Sequence, residues 1–166
     1  MYTRVLEVPN HLLIAEVKRA LQQGHTATLR VKGYSMRLFL ESNRDKVLLA
    51  PIAPEAVKVR DVVLAEVSPE HYVLHRVISR RDNRLVLMGD GNIKGTETCR
   101  DTDVVGIATA FYRKGRSKPD RTDGLKWRIY SQVWLALKPF RRIILGVYRR
   151  VRILLGQDSL QHPAQT

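Results

Sequence analysis

Apolar and polar positions follow a helical period at the start of the chain. Leu13, Val17 and Leu21 recur every four residues, with polar and charged residues between them. Asn10 precedes this stripe and has a side chain suited to capping the first turn of a helix. The pattern predicts one amphipathic helix within residues 1–25.

From residue 26 the period changes to two, which is typical of half-buried strands. Turn-forming sequences separate the runs, and many short strands with tight connections are typical of small barrels and coiled sheets. The sequence therefore predicts a mainly β domain over residues 26–116, coiled-sheet or barrel-like. The strand-like runs are TATLRVK at 26–32, KVLLA at 46–50, DVVLAEV at 61–67, HYVLHRVI at 71–78, RLVLM at 84–88 and DVVGIATAFY at 103–112.

The pattern changes a second time after the β domain. Residues 117–125 belong to a polar, charged linker, and residues 126–156 have the composition of a basic amphipathic helix that bends near Pro139. Residues 157–166 are expected to be a disordered end. The longest uncharged run in the helical part, IYSQVWLAL, has nine residues, about half of the roughly 20 that span a bilayer.

No secretory signal is expected, because the first ten residues contain no basic segment followed by an apolar run. No transmembrane helix is expected either, because the longest uncharged run of the helical part is too short. These features predict a cytoplasmic protein with peripheral membrane association.

Charge is concentrated in the C-terminal part of the chain. The net charge is +13, and residues 113–152 contain thirteen basic residues against two acidic ones. Residues 126–155 mix these cations with aromatic and aliphatic side chains, which suits the headgroup region of an anionic membrane. The alternative is a helix packed on the β domain with a solvated basic face. Nucleic acid is not the expected partner.

Candidate chemistry begins at Ser35, which follows Gly33 at the end of a β-patterned run. A serine hydroxyl becomes an effective nucleophile when a neighbouring base removes its proton. Among the histidines, His75 lies mid-strand on the same face as Val73 and Val77, so its ring would be held rigidly as a general base requires. The alternative interpretation of His75 is an ordinary histidine on the face of a sheet.

Metal and disulfide chemistry find little support in the sequence. Cys99 is the single cysteine, which excludes an internal disulfide and a multi-cysteine metal site. His71 and His75 have a spacing that places metal ligands together on a helix, but their pattern is that of a strand. No metal or cofactor is expected.

Five motifs, in order and approximate spacing, carry a resemblance to a known superfamily. Together the motifs resemble the signal peptidase and LexA-like serine peptidases over about 90 residues. Because a histidine stands where the bacterial enzymes have a lysine base, the resemblance is closest to the endoplasmic-reticulum-type signal peptidase branch. The motifs are GYSM at 33–36, DVVLAEV at 61–67, YVLHRVI at 72–78, GDGN at 89–92 and VVGIATAFYRKGR at 104–116.

The resemblance implies a role for each matched residue. Ser35 corresponds to the nucleophile, His75 to the general base, and Asp90 to an aspartate that could orient the imidazole. The backbone amide of Ser35 would be an oxyanion donor, which Gly33 would help to aim. A turn between two strands is the alternative explanation for Asp90. The position of a second acidic residue of the eukaryotic-type enzymes falls near Thr96 in this sequence, and Asp101 or Asp103 would substitute for it only if a loop shifts.

These roles imply a serine endopeptidase that cleaves a leader or signal-type peptide through a Ser–His dyad. Its partner would be a peptide or protein substrate. The rival hypothesis is a non-catalytic, peptidase-like binding module whose basic tail binds nucleic acid or an acidic partner.

Overall fold

The computed structural model describes residues 10–155. The side chain of Asn10, residues 1–9 and the predicted end 157–166 lie outside the described part. The prediction of a mainly β domain is confirmed. The elements are α1 (Asn10–Gln22), β1 (Ala27–Arg30), β2 (Lys46–Ala50), β3 (Val62–Ser68), β4 (His71–Arg81), β5 (Arg84–Met88), β6 (Glu97–Arg100), β7 (Val104–Tyr112), β8 (Asp120–Arg121), α2 (Leu125–Ala136) and α3 (Arg141–Leu154).

The strands form one open antiparallel sheet in the order β1-β2-β7-β3-β4-β5-β6. Strand β8 pairs with the C-terminal part of β7, at Ala110 and Phe111. Register shifts interrupt the pairing between Leu48 and Leu49 in β2 and between Val77 and Ser79 in β4. Such irregularities bend a strand and increase its twist. The six predicted runs all contain strands, whereas β6 and β8 were not predicted.

Alternation along β3 places apolar side chains on both faces of the sheet. Val62 and Leu64 belong to one buried cluster, and Val63 and Ala65 belong to the other. We call the face that carries Val62 and Leu64 the first face of the sheet and the face that carries Val63 and Ala65 the second. Helix α1 covers the first face. Its predicted apolar stripe is only partly buried, because Leu13 remains 38% exposed. The residues that α1 buries in this cluster are Ile14, Val17 and Leu21.

Helix α2 also packs on the first face. Trp127 is 5% exposed and belongs to the same cluster as Phe39 and Phe111. The ring centroids of Trp127 lie 4.7 Å from Phe39 and 4.8 Å from Phe111. The helix predicted as an extension thus contributes a large aromatic side chain to the core of the β domain.

Helix α3 follows a short 3-10 turn at Lys138–Phe140, where the sequence predicts a bend. The Tyr148 hydroxyl donates a hydrogen bond of 2.6 Å to Glu41, and Arg152 forms a 2.7 Å ion pair with the same carboxylate. These contacts join α3 to the loop between β1 and β2. Within residues 10–155, no helix combines the length and apolar character needed to cross a bilayer.

Candidate active site

Ser35 lies half-buried in the loop between β1 and β2. Gly33 precedes it with φ of +87°, a left-handed conformation that residues with a Cβ rarely adopt. The Gly33 amide donates a 3.0 Å hydrogen bond to the Ser42 hydroxyl across the loop. The glycine expected before the candidate nucleophile thus makes the turn that leads into it.

The GDGN segment packs directly on the backbone of Ser35. A Cβ atom added to Gly89 would lie 2.3 Å from the Ser35 carbonyl oxygen, so only a glycine fits without movement. The Gly91 amide donates a 2.7 Å hydrogen bond to that same oxygen. Two glycines therefore hold the main chain of Ser35 in place. The Ser35 amide itself donates no hydrogen bond to a backbone carbonyl within residues 10–155.

His75 lies in the middle of β4 and is 4% exposed. Its Nδ1 atom is 2.9 Å from Oε2 of Glu97, the first residue of β6. The sheet register explains this contact, because Val77 pairs with Leu87 and Leu87 pairs with Glu97. Glu97 therefore lies two strands away on the face that His75 shares with Val77.

Two opposing effects act on the imidazole of His75. Burial disfavours the charged ring and lowers its pKa, whereas the carboxylate of Glu97 raises it, and the net direction is downward from the ordinary value of 6.5. The ring is therefore neutral at neutral pH. A neutral ring that donates from Nδ1 to Glu97 presents an unprotonated Nε2, which is the state required of a general base.

Asp90 does not make the expected contact with His75. Its two carboxylate oxygens accept hydrogen bonds of 2.8 and 2.6 Å from Arg76, and both side chains of this pair are fully buried. Arg76 also donates a 2.7 Å hydrogen bond to the Ser131 hydroxyl of α2. Because neighbouring residues of a strand face opposite ways, the carboxylate that pairs with Arg76 lies across the sheet from His75.

Glu97 is the site residue that the sequence interpretation missed. The second acidic residue of the resembling family was expected near Thr96, and Glu97 is the next residue. Glu97 could have been found if ETCR had been recognised as a strand. As the first residue of that strand, Glu97 would share a face of the sheet with buried residues of the neighbouring strand. The short, polar composition of β6 gave no such signal.

Gly89 links the two halves of the site. The antiparallel pair of Arg76 and Met88 brings Gly89, the next residue of the chain, alongside His75. Gly89 in turn contacts Ser35. In the described part of the chain no hydrogen bond joins the Ser35 hydroxyl to His75, and the connection between the two residues runs through Gly89. Met36 is buried beside Ser35 in the core.

Cys99 does not compete with Ser35 as a nucleophile. The side chain is buried on the second face of the sheet. Burial, with a smaller contribution from Asp103 and Asp101, raises the pKa of its thiol to about 11. The thiolate is the reactive form of cysteine, so this thiol is inert at neutral pH.

Two comparisons with known proteins find no relative: no protein-family model matches the chain, and no curated protein matches it. The class of protein therefore has to be argued from the site and from the sequence motifs.

Proposed function

We propose that this protein is a serine endopeptidase in which Ser35 is the nucleophile and His75 the general base. The observation that carries the proposal is the buried His75 ring, held by Glu97 through Nδ1, in a strand that Gly89 connects to Ser35. An imidazole with one nitrogen bonded to a carboxylate and the other unprotonated is suited to accept a hydroxyl proton.

In the proposed reaction the Ser35 oxygen attacks the carbonyl carbon of a peptide bond while Nε2 of His75 takes the hydroxyl proton. The tetrahedral intermediate collapses when the protonated imidazole returns that proton to the leaving amine. An ester to Ser35 remains, and a water molecule activated by His75 hydrolyses it and restores the serine. Glu97 stabilises the imidazolium in both steps.

The backbone around Ser35 offers a donor for the oxyanion. The Ser35 carbonyl accepts a hydrogen bond from the Gly91 amide, whereas the Ser35 amide has no backbone carbonyl as acceptor within residues 10–155. A backbone amide next to the attacking oxygen can stabilise the negative charge that develops on the carbonyl oxygen. The left-handed Gly33 and the close contact of Gly89 keep this amide in a defined orientation.

An extended peptide is the substrate class that the fold favours. Strand β1 is the terminal strand in the sheet order and ends at Arg30, five residues before Ser35. A peptide that adds to such an edge gains main-chain hydrogen bonds in an extended conformation. The family resemblance points to leader or signal-type segments with small side chains before the cleaved bond.

The test is hydrolysis of a library of extended peptides by the full chain and by Ser35→Ala. We expect the substitution to abolish cleavage, and a fluorophosphonate probe to label Ser35 in the native protein. Ser117→Ala, at an exposed loop position, is the matched control and should leave both readouts unchanged. Equal cleavage by Ser35→Ala would contradict the nucleophile assignment. No cleavage and no labelling of the folded native chain would favour the non-catalytic binding module.

A further inference from the structure

Helix α3 carries three distinct strips along its length. At 3.6 residues per turn, the strip that includes Arg141, Tyr148 and Arg152 faces the β domain. The opposite side divides into an apolar strip and a basic strip that lie next to each other. The apolar strip consists of Ile143, Val147, Val151 and Leu154, which are 66, 55, 46 and 85% exposed. The basic strip consists of the exposed Arg142, Arg149 and Arg150.

Helix α2 repeats this arrangement on a smaller scale. Its outer side carries Leu125, Ile129 and Val133 at intervals of four residues, and all three are at least half exposed. The exposed cations Lys126 and Arg128 flank this stripe. Both helices therefore present aliphatic side chains bordered by positive charge. The inner side of α2 packs on the sheet, and the inner side of α3 contacts the loop between β1 and β2.

We propose that the outer faces of α2 and α3 form a docking surface for an anionic lipid bilayer. Aliphatic side chains bordered by arginine suit a helix lying in the plane of the membrane, because the apolar strip enters the acyl boundary while the cations contact anionic headgroups. Residues 125–155 contain no acidic residue, and the exposed basic side chains on these outer faces are Lys126, Arg128, Arg142, Arg149 and Arg150. This uniform positive charge complements an anionic membrane surface.

The same charge argues against the other occupants of this surface. A second copy of the chain would bring an equally basic surface to the contact, and like charges across an interface repel. Single-stranded nucleic acids bind through aromatic side chains on which bases stack. Here Trp127 and Trp134 are each only 5% exposed, and the outer strips are aliphatic. Trp127 and Trp134, which the sequence assigned to the headgroup region, are therefore core residues, whereas Phe140 at the start of α3 is 56% exposed. The docking surface is formed mainly by aliphatic side chains.

The test is co-sedimentation of the full chain with vesicles of phosphatidylcholine, with and without phosphatidylglycerol. We expect the protein to pellet with the anionic vesicles at low salt, to remain in solution with neutral ones, and to be released as salt rises. Arg149→Gln/Arg150→Gln should weaken partitioning by about fivefold for each charge removed. The matched control is Arg81→Gln/Arg84→Gln, which removes two exposed arginines from the β4–β5 hairpin and should have little effect.

A second pair of variants tests the apolar strip. Ile143→Ser/Val147→Ser should reduce partitioning by about tenfold or more, because less apolar area enters the bilayer. The control Leu12→Ser/Ile93→Ser changes two exposed apolar residues elsewhere and should partition like the native chain. Since all these positions are exposed, the variants should fold. Hydrolysis of a soluble peptide should be unaffected, so this proposal can fail without the peptidase assignment failing.

Three results would overturn the proposal. One is the absence of binding to anionic vesicles at low salt. Another is an equal loss of binding in the variants that change the docking surface and in their control variants. The third is a different occupant of the same face: a dimer in solution, or a complex with single-stranded nucleic acid, that Ile143→Ser/Val147→Ser disrupts.

Discussion

His75 and Arg76 are consecutive residues of β4, yet their side chains bind different carboxylates on opposite faces of the sheet. His75 contacts Glu97 through a 2.9 Å hydrogen bond. Two nitrogens of the Arg76 guanidinium donate hydrogen bonds to the two carboxylate oxygens of the buried Asp90. The first pair includes a titratable ring and a carboxylate that is one-third exposed. The second pair is fully buried, and its Arg76 donates a hydrogen bond to the Ser131 hydroxyl of α2. We infer that the first pair serves the chemistry and the second holds the fold around it.

Glu97→Gln tests the first pair. The amide can still contact Nδ1 but cannot stabilise the imidazolium, so kcat/KM should fall by on the order of 10²- to 10⁴-fold. The free energy of unfolding, measured in urea, should change by less than about 1 kcal/mol because the carboxylate is partly exposed. Glu55→Gln, at an exposed carboxylate away from the site, is the control. Activity within twofold of the native value would remove Glu97 from the mechanism.

Arg76→Met and Asp90→Leu test the second pair. Each leaves an unpaired charge in a fully buried position, which costs about 3–5 kcal/mol of folding free energy. The double variant removes both charges, so its loss of stability should be smaller than the sum of the single losses. Urea unfolding of the three variants provides the measurement. Additive losses would show that the two residues are not energetically coupled.

Gly89→Ala should affect catalysis more than Gly33→Ala does. The added methyl group at Gly89 overlaps the Ser35 carbonyl, so the loop must move away from the nucleophile. A displacement of about 1 Å can reduce kcat/KM on the order of 10²-fold. At Gly33 the space is open and the cost is backbone strain alone, about 1–2 kcal/mol. Gly24→Ala, with φ of +81° and open space, controls for this strain far from the site. Equal activity of the Gly33 and Gly89 variants would contradict the positioning role of Gly89.

The pH dependence of kcat/KM should report the titration of His75. The neutral ring is the active form, so activity should rise with pH through a midpoint below about 6.5, since burial lowers the pKa of His75. Glu97→Gln removes a charge that raises this pKa, and the midpoint should therefore move to still lower pH. A shift to higher pH, or a flat profile between about pH 4 and 8, would argue against His75 as the base.

His75 should also contribute to the pH dependence of stability. Its pKa is lower in the folded protein than in the unfolded chain, so the unfolded state binds the proton more readily. The free energy of unfolding should therefore decrease as the pH falls below about 6.5 and towards the folded pKa. His75→Gln should reduce this slope in urea titrations carried out at several pH values. An unchanged slope would assign the acid sensitivity to other groups.

Much of the β domain was predictable because its strands bury alternate residues. In β1 the period of two is visible in the sequence, and the same period predicted that His75 of β4 shares a face with Val77. The glycine at position 33 was recognisable because few residues adopt a left-handed conformation. These features depend on a residue and its near neighbours in the chain, so the sequence was sufficient for them.

The partners of His75 and Arg76 depended on tertiary structure. Asp90 was the expected partner of His75, but the strand alternation that orients His75 places Arg76 on the other face, where Asp90 pairs with it. Glu97 reaches His75 only because β6 joins the sheet beside β5, and the composition of ETCR does not predict that pairing. Likewise, the pattern around Trp127 suits both a membrane and a protein core. The choice between them depends on whether Phe39 and Phe111 offer a surface to cover, which only long-range packing decides.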